Sequence, residues 1–318
     1  MVAKLRLKGE KRMRDNLSFK GRRKSNTRML LEDRVFNFVN DGLLLLAALI
    51  VLYPLIYILS SAFSSPEAVS RGKVVFFPVD FSLRGFEEVF SHKAIVTGFA
   101  NTIFYTIVGT LVNIVMTVAA AYPLSRKNLP GRRFFLFLFT FTMLFNGGLI
   151  PSYLLTSQLG LINKRAVMII PVALNVFNVI ICRTFFETTI PDELVEASQL
   201  DGFSQTRFII KIAIPLSKAI IAVLALYYGL GHWNSYFQAF LYITDKNKFP
   251  LQIILRDILI LNQVNDIIAD PLLYQAKQGM AQLLKYSLIV VASVPFMIAY
   301  PFVAKHFVKG VMIGAVKA

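Results

Sequence analysis

The chain has 318 residues, of which 56% are hydrophobic and only 16% charged. A soluble domain of this size carries about 25% charged residues, so the composition excludes an ordinary globular enzyme or binding module and places the chain among membrane proteins. The net charge of +16 raises nucleic acid as a partner, but basic residues of membrane proteins collect on the cytoplasmic side, which accounts for the excess with no nucleic acid.

In chain order, residues 1–41 come first, a tail with twelve Lys and Arg. It reads as a solvated cytoplasmic segment that sets topology and touches the membrane lipid through anionic head groups. The first uncharged run is 42–63. It is too long for a signal-peptide core of about 7–15 residues and reads as a signal anchor. A spanning helix needs roughly 20 mostly apolar residues. Runs 94–125, 134–163 and 219–244 meet that length, and 166–182 (extendable to Phe186) and 286–304 are shorter, giving six spans. Pro54, Pro171 and Pro295 fall inside them, which membrane helices tolerate when neighbours re-satisfy the freed carbonyls. The expected architecture is an all-α integral membrane protein with six transmembrane helices over 42–304. The longer connections are 64–97 and 245–282 on one side and 187–215 on the other, and the tail 305–318 ends the chain.

Lysine and arginine orient this bundle. Of 34 basic residues, 23 lie in the N-terminal tail, the short loop around Arg126–Arg133, the stretch Arg183–Lys218 and the C-terminus. Both termini and the 187–215 loop are therefore expected in the cytoplasm. The spans hold almost no ionisable group at membrane depth, where ion-coupled carriers place theirs. Arg183 and Lys218 lie near span ends, where long side chains snorkel to the interface. The lone Cys182 supplies no disulfide or thiolate metal site. His92, His232 and His306 are scattered, and neither HExxH nor a P-loop occurs. No enzymatic constellation, metal site or cofactor is expected, so energy for active transport must arrive through a partner.

The most informative stretch is the loop from Thr189 to Pro215. Thr189 and Asp192 have capping-box spacing, and Asp192 and Glu193 suit a helix N-terminus. Gly202 stands where a left-handed C-cap belongs. Ser204 is placed to cap a second helix, with Phe203 and Phe208 at staple spacing. Leu194, Ala197 and Ser198 form a small, mildly apolar stripe for docking. The alternative is an interfacial helix lying among head groups.

Glu196-Ala197-Ser198, then Asp201-Gly202, then Ile212-x-Ile214-Pro215, resembles the E-A-A---G---------I-x-L-P loop of ABC importer permeases, with Ser198 and Ile214 as mild departures. Phe145-Asn-Gly-Gly-Leu-Ile-Pro151, Gly231-His-Trp-Asn-Ser235, Phe249-Pro-Leu-Gln252 and the tail Lys309-Gly-Val-Met-Ile-Gly-Ala-Val-Lys317 resemble maltose-type carbohydrate permeases, above all the branch importing oligosaccharides released from complex polysaccharides. The resemblance covers roughly residues 35–318. It implies a type I ABC importer permease fold in a bacterial cell membrane and a role in oligosaccharide uptake, with no catalysis by this chain. It also implies three partners: a second permease forming a heterodimer, an ABC ATPase dimer and an extracellular solute-binding lipoprotein. On this basis Glu196, Ala197, Ser198, Asp201, Gly202, Ile212 and Pro215 would couple to the ATPase. The 245–282 loop would meet the binding protein, and the C-terminal tail would reach between the ATPases. A permease for peptide or phosphate would carry the same loop.

Sugar sites pair aromatic faces with amides and hydroxyls. Asn175 and Asn178 are expected on one face of span four. Tyr228 with His232, and Trp233 with Tyr236, are expected to share faces of span five, where Asn234 and Gln238 also lie. Asn175, Asn178, Trp233 and Tyr236 are the candidate substrate-path residues. The competing role is helix packing or the aromatic belt.

Overall fold

A computed structural model describes residues 31–260 and 271–315, with side chains over 34–258 and 279–301. Residues 1–30 of the basic tail, residues 261–270 of the expected outer loop and the side chains of the 305–318 tail lie outside the described residues. In chain order the helices are α1 (Leu31–Ala62), α2 (Pro66–Ser70), α3 (Arg84–Ser91), α4 (Lys93–Ser125), α5 (Arg132–Leu144), α6 (Leu149–Gln158), α7 (Val176–Thr189), α8 (Asp192–Leu200), α9 (Gln205–Phe208), α10 (Ile214–Leu216), α11 (Lys218–Trp233), α12 (Phe237–Tyr242), α13 (Leu251–Ile260) and α14 (Pro271–Ala315). Among the described residues there is no strand. By length and composition three helices can cross a membrane, or up to six when each bent pair counts as one span.

The chain forms two compact units, Met1–Pro54 and Leu55–Ala318. In the first, α1 begins at Leu31 rather than at 42. No Gly or Pro interrupts the chain between Leu31 and Gly42. From 34 to 54 every residue is exposed. A helix apolar on all faces belongs in a non-aqueous surrounding.

In the second unit α4 is the central post, packed against α3, α7, α11 and α13, while α14 packs against α2, α3 and α11. Three of the expected spans are not straight. The run 134–163 splits into α5 and α6, bent by 113°. Its break is Phe145-Asn-Gly-Gly, where Gly148 takes φ +87° and donates its N–H to Asn146 Oδ1 at 2.9 Å. The run 166–186 starts as 3₁₀ turns, Arg165–Met168 and Ile170–Val172, and turns by 53° into α7. Pro171 cannot extend a helix through that point. The run 219–244 ends its helix at Trp233, and the chain resumes as α12. Ahead of α11 the segment Gln205–Leu216 meets it at 85°. The last span is longer than the expected 286–304, since α14 runs through Pro295 and Pro301.

Candidate functional site

The 187–215 loop folds as two short helices joined by a tight turn. Gly202 sits at φ +75° directly after the cap residue Asp201. Its N–H donates to Gln199 O at 3.0 Å, and that of Phe203 donates to Ser198 O at 2.9 Å. These two bonds make a complete Schellman closure. Ser204 caps α9 by accepting the Arg207 N–H at 3.3 Å, as expected. Two local expectations are corrected. Thr189 ends α7, and Pro191 stands at the N-cap of α8 with no side-chain cap bond. Proline does this because its fixed φ suits an entry turn and its missing N–H costs nothing there. Phe208 is buried between Tyr122, centroid 6.1 Å away, and the cluster around Phe186. Phe203 instead lies beneath the Arg207 guanidinium at 4.5 Å.

The docking stripe is also revised. Ser198 is buried, its hydroxyl donating to Val195 O at 2.7 Å, and Leu194 packs inward with Val195. Helical geometry sends 194, 195 and 198 to one side, and that side faces the protein's own core. The outward face of α8 carries Glu193, Glu196, Ala197 and Leu200, followed by Asp201 and Gly202. Leu200 is 90% exposed. Ile212 packs inward, and Pro215 is exposed beside the 85° bend. Residues 209–213 form a π-helical turn, which widens the helix where the ring of Pro215 would meet the carbonyl four residues earlier.

Arginines brace this loop. Arg126 donates to Phe186 O and Ile190 O, both at 3.1 Å, and pairs with Asp192 at 3.1 Å. Arg132 and Arg183 both donate to Leu124 O and both pair with Glu187, at 2.9 and 2.6 Å. Arg132 and Arg183 thus satisfy the Leu124 carbonyl at the C-terminal end of α4. Arg126 adds a second donor to the Phe186 carbonyl, which also accepts the Ile190 N–H at 3.0 Å, and takes the Ile190 carbonyl just past α7. Sequence reasoning counted Arg126 and Arg132 as orienting charge and Arg183 as a span-end residue snorkelling to the interface, and assigned none of them a bracing role.

Along α4 runs a second feature that sequence reasoning missed. Asn101, Tyr105, Gly109, Asn113 and Thr117 recur every fourth residue, and all are buried. Thr117 Oγ1 bonds Tyr228 Oη at 2.6 Å, and Asn113 Oδ1 bonds His232 Nε2 at 2.6 Å. Asn113 also donates to Val172 O. Asn101 donates to Asn247 O and Phe249 O, and Tyr105 to Lys248 O. The signal was legible as a four-residue polar period inside an apolar run.

At that far end Asn163, at φ +59°, accepts the N–H groups of Thr244 and Asp245. Arg165 donates to Asn101 Oδ1, and Lys248 donates to Asn163 O and pairs with Asp245. The Asp245 carboxyl is held below the usual range, first by the Asn247 backbone N–H and then by Lys248.

The four substrate-path candidates lie in different surroundings. Asn175 is the N-cap of α7, its Oδ1 accepting the Asn178 N–H at 3.2 Å, so the two do not form a helix-face pair. Asn178 is buried. Trp233 is 6% exposed; its indole donates to Ala292 O at 3.0 Å and packs edge-on against Phe99 and Phe296. Because α11 stops at Trp233, Tyr236 does not share its helix face. Tyr236 is half-buried, stacked on Phe240 and lying under Arg256.

No protein-family model matches the chain. Protein LplC of Bacillus subtilis (strain 168) is 39% identical over 284 residues, 89% of this chain and 95% of that protein. The polygalacturonan/rhamnogalacturonan transport system permease protein YtcP of the same organism is 37% identical over 288 residues, 90% of this chain and 100% of that protein. The chain belongs to the carbohydrate ABC transporter permease family. A crystal structure of a bacterial ABC transporter involved in the import of the acidic polysaccharide alginate matches this permease with TM-score 0.81 and 37% identity, covering 87% of this chain and 98% of that one. The permease therefore has the all-helical fold of an ABC importer subunit and is not itself catalytic. It is a multi-pass protein of the cytoplasmic membrane and one component of a larger transport system.

Proposed function

We propose that this permease imports oligosaccharides, with the 187–215 loop as its contact with the ATPase. The observation that carries the coupling role is the loop itself. Its outer face presents Glu196, Ala197 and Gly202, while three arginines and Phe208 lock its inner face to α4 and α7. A rigid element that exposes small and acidic side chains can pass a push from a partner directly into two spans. The sugar assignment is supported by similarity along nearly the full length of a polygalacturonan/rhamnogalacturonan permease.

In this reading both termini and the loop are cytoplasmic. The domains are the basic tail 1–41, the helical permease region 42–304 and the tail 305–318. The partners are a second permease, an ATPase dimer and an extracellular binding lipoprotein that meets the 245–282 loop. Asn175, Asn178 and Trp233 act through packing around the path, and Tyr236 offers the more open sugar contact.

The test is reconstitution with the cognate partners in proteoliposomes, followed by ATP-dependent uptake of labelled oligosaccharides. Uptake is expected for sugars and not for peptides or phosphate, and Glu196→Lys should reduce it at least tenfold without loss of membrane-inserted protein. Normal uptake by Glu196→Lys would remove the loop from the mechanism. Uptake of peptide or phosphate but no sugar would replace the substrate class.

A further inference from the structure

The 187–215 loop and the start of α11 separate their charges along the chain. Helix α8 and its cap carry Asp192, Glu193, Glu196 and Asp201 and no basic residue. Residues 203–218 carry Arg207, Lys211 and Lys218 and no acidic residue. The left-handed turn at Gly202 is the border between the two halves. A surface of one sign complements only one of them.

Geometry separates the halves as well. The segment Gln205–Leu216 meets α11 at 85°. Where α11 runs across the bilayer, this segment therefore lies close to the membrane plane, and Lys218, the first residue of α11, stands at the level of entry. Its inner side is closed: Phe208 and Ala213 are buried, and Ile209 and Ile212 pack against the same cluster. Its outer side carries Arg207, Lys211 and Lys218, all exposed, together with Ile210 at 57% and Leu216 at 53% exposure. Ile210 is only about two helical turns ahead of Lys218, so the exposed aliphatic groups sit beside the point where the chain enters the membrane. Left in water they would forgo a favourable transfer. At the boundary between acyl chains and head groups that transfer is gained, while the lysine and arginine heads stay in the polar layer.

We propose that residues 205–218 form a contact for anionic phospholipid. Arg207, Lys211 and Lys218 bind the lipid phosphates, and Ile210 and Leu216 sink between the head groups. The surface is continuous with the bilayer that already surrounds this multi-pass protein, and its charge is opposite to that of an anionic leaflet. The loop is thus divided at Gly202, with an acidic half turned to a protein partner and a basic half that sets its level against the membrane. The assignment rests on the reading of this loop as lying at a membrane surface beside its coupling face, and it is independent of the solute carried.

The test uses the permease assembled with cysteine-free partner permease and ATPase in proteoliposomes of phosphatidylcholine, alone or mixed with phosphatidylglycerol. With the buried Cys182 kept, Ile210→Cys and Leu200→Cys are each labelled with an environment-sensitive fluorophore. Quenching by lipid spin-labelled next to the head group is then measured without ATP or sugar, the label on the acidic half serving as control. The label at 210 is expected to be quenched at least threefold more than that at 200, and phosphatidylglycerol should raise its quenching at least twofold. Arg207→Gln, Lys211→Gln and Lys218→Gln combined should abolish that rise, and inorganic phosphate added to phosphatidylcholine vesicles should not reproduce it. If the triple variant assembles poorly, Lys211→Gln and Lys218→Gln should each lower the rise singly, and added salt should lower it in the complex without these changes. Quenching at 210 no greater than at 200 would overturn the proposal. So would quenching that ignores phosphatidylglycerol, which would make the contact purely apolar. A label at 210 that lipid reaches only when the ATPase is omitted would give the basic half to the protein partner and overturn it too. Because the measurement needs neither sugar nor ATP, failure of oligosaccharide uptake, or normal uptake by Glu196→Lys, would defeat the functional reading without changing this result.

Discussion

Two glycines show how differently one residue type can constrain this permease. A Cβ on Gly109 would stand 2.3 Å from His232 Nε2, and that ring is held by Asn113. The histidine cannot swing away without leaving a buried polar group unpaired. Gly109→Ala is expected to cost about 1–3 kcal/mol by overpacking, read as a lower thermal midpoint of the detergent-solubilised protein. An unchanged midpoint would mean that the α4–α11 contact yields. Gly202 has nothing within 4 Å of its would-be Cβ, so its constraint is the left-handed backbone alone, about 1–2 kcal/mol for a side chain. Gly202→Val should leave the midpoint nearly unchanged yet abolish transport, because the Schellman turn shapes the exposed face. Wild-type transport by this variant would show that the turn's shape is dispensable.

At the scale of elements, the loop is held by carbonyl bonds more than by ion pairs. Asp192 is 52% exposed, and an exposed pair contributes about 0–1 kcal/mol. The two carbonyls that Arg126 satisfies are part-buried, and hydrogen bonds from a charged donor contribute about 1.5–3 kcal/mol. Arg126→Met should therefore speed proteolysis between 187 and 203 several-fold, while Asp192→Asn should change it little. Equal effects would assign the bracing to the ion pair. The far end behaves differently. The folded Asp245 carboxyl has a pKa below its ordinary value of 3.8. Its contribution is thus fully present above that value and lost as pH falls through the lowered one. Amides of 243–249 should exchange faster per unit of intrinsic rate only in that acid window, and Asp245→Asn should remove the dependence. A transition at neutral pH would point to another group.

For the whole molecule, orientation is the open consequence of the basic-residue asymmetry. Lys246 and Glu193 are both exposed, on the loops at opposite ends of α11. With the buried Cys182 left in place, Lys246→Cys should react with an impermeant maleimide added outside intact cells, and Glu193→Cys only after permeabilisation. The reverse pattern would put the 187–215 loop outside and remove it from contact with a cytoplasmic ATPase. The exposed apolar faces of α5 and α6, with Phe134, Phe137, Phe141, Leu149, Ile150 and Leu154, fit a chain surrounded by lipid and membrane partners rather than water.

The sequence by itself determined the class, the approximate places of the membrane-crossing regions and the turn at Gly202. These depend on local chemistry: apolar length, the distribution of basic residues, and the one residue type that takes positive φ without strain. It could not decide which face of α8 points outward, because Leu194 and Ser198 look as suitable for docking as for packing until α4 and α7 are placed beside them. Nor could it separate Trp233 from Tyr236. Both are aromatic residues near a helix end, and only the packing of α14 encloses the first while the termination of α11 leaves the second beside Arg256. The bends at Phe145–Gly148 and Ser217 and the pairing of Asn113 with His232 belong to the tertiary structure too. A polar group within an apolar run is costly until a partner is found, and those partners lie 59 to 148 residues away along the chain.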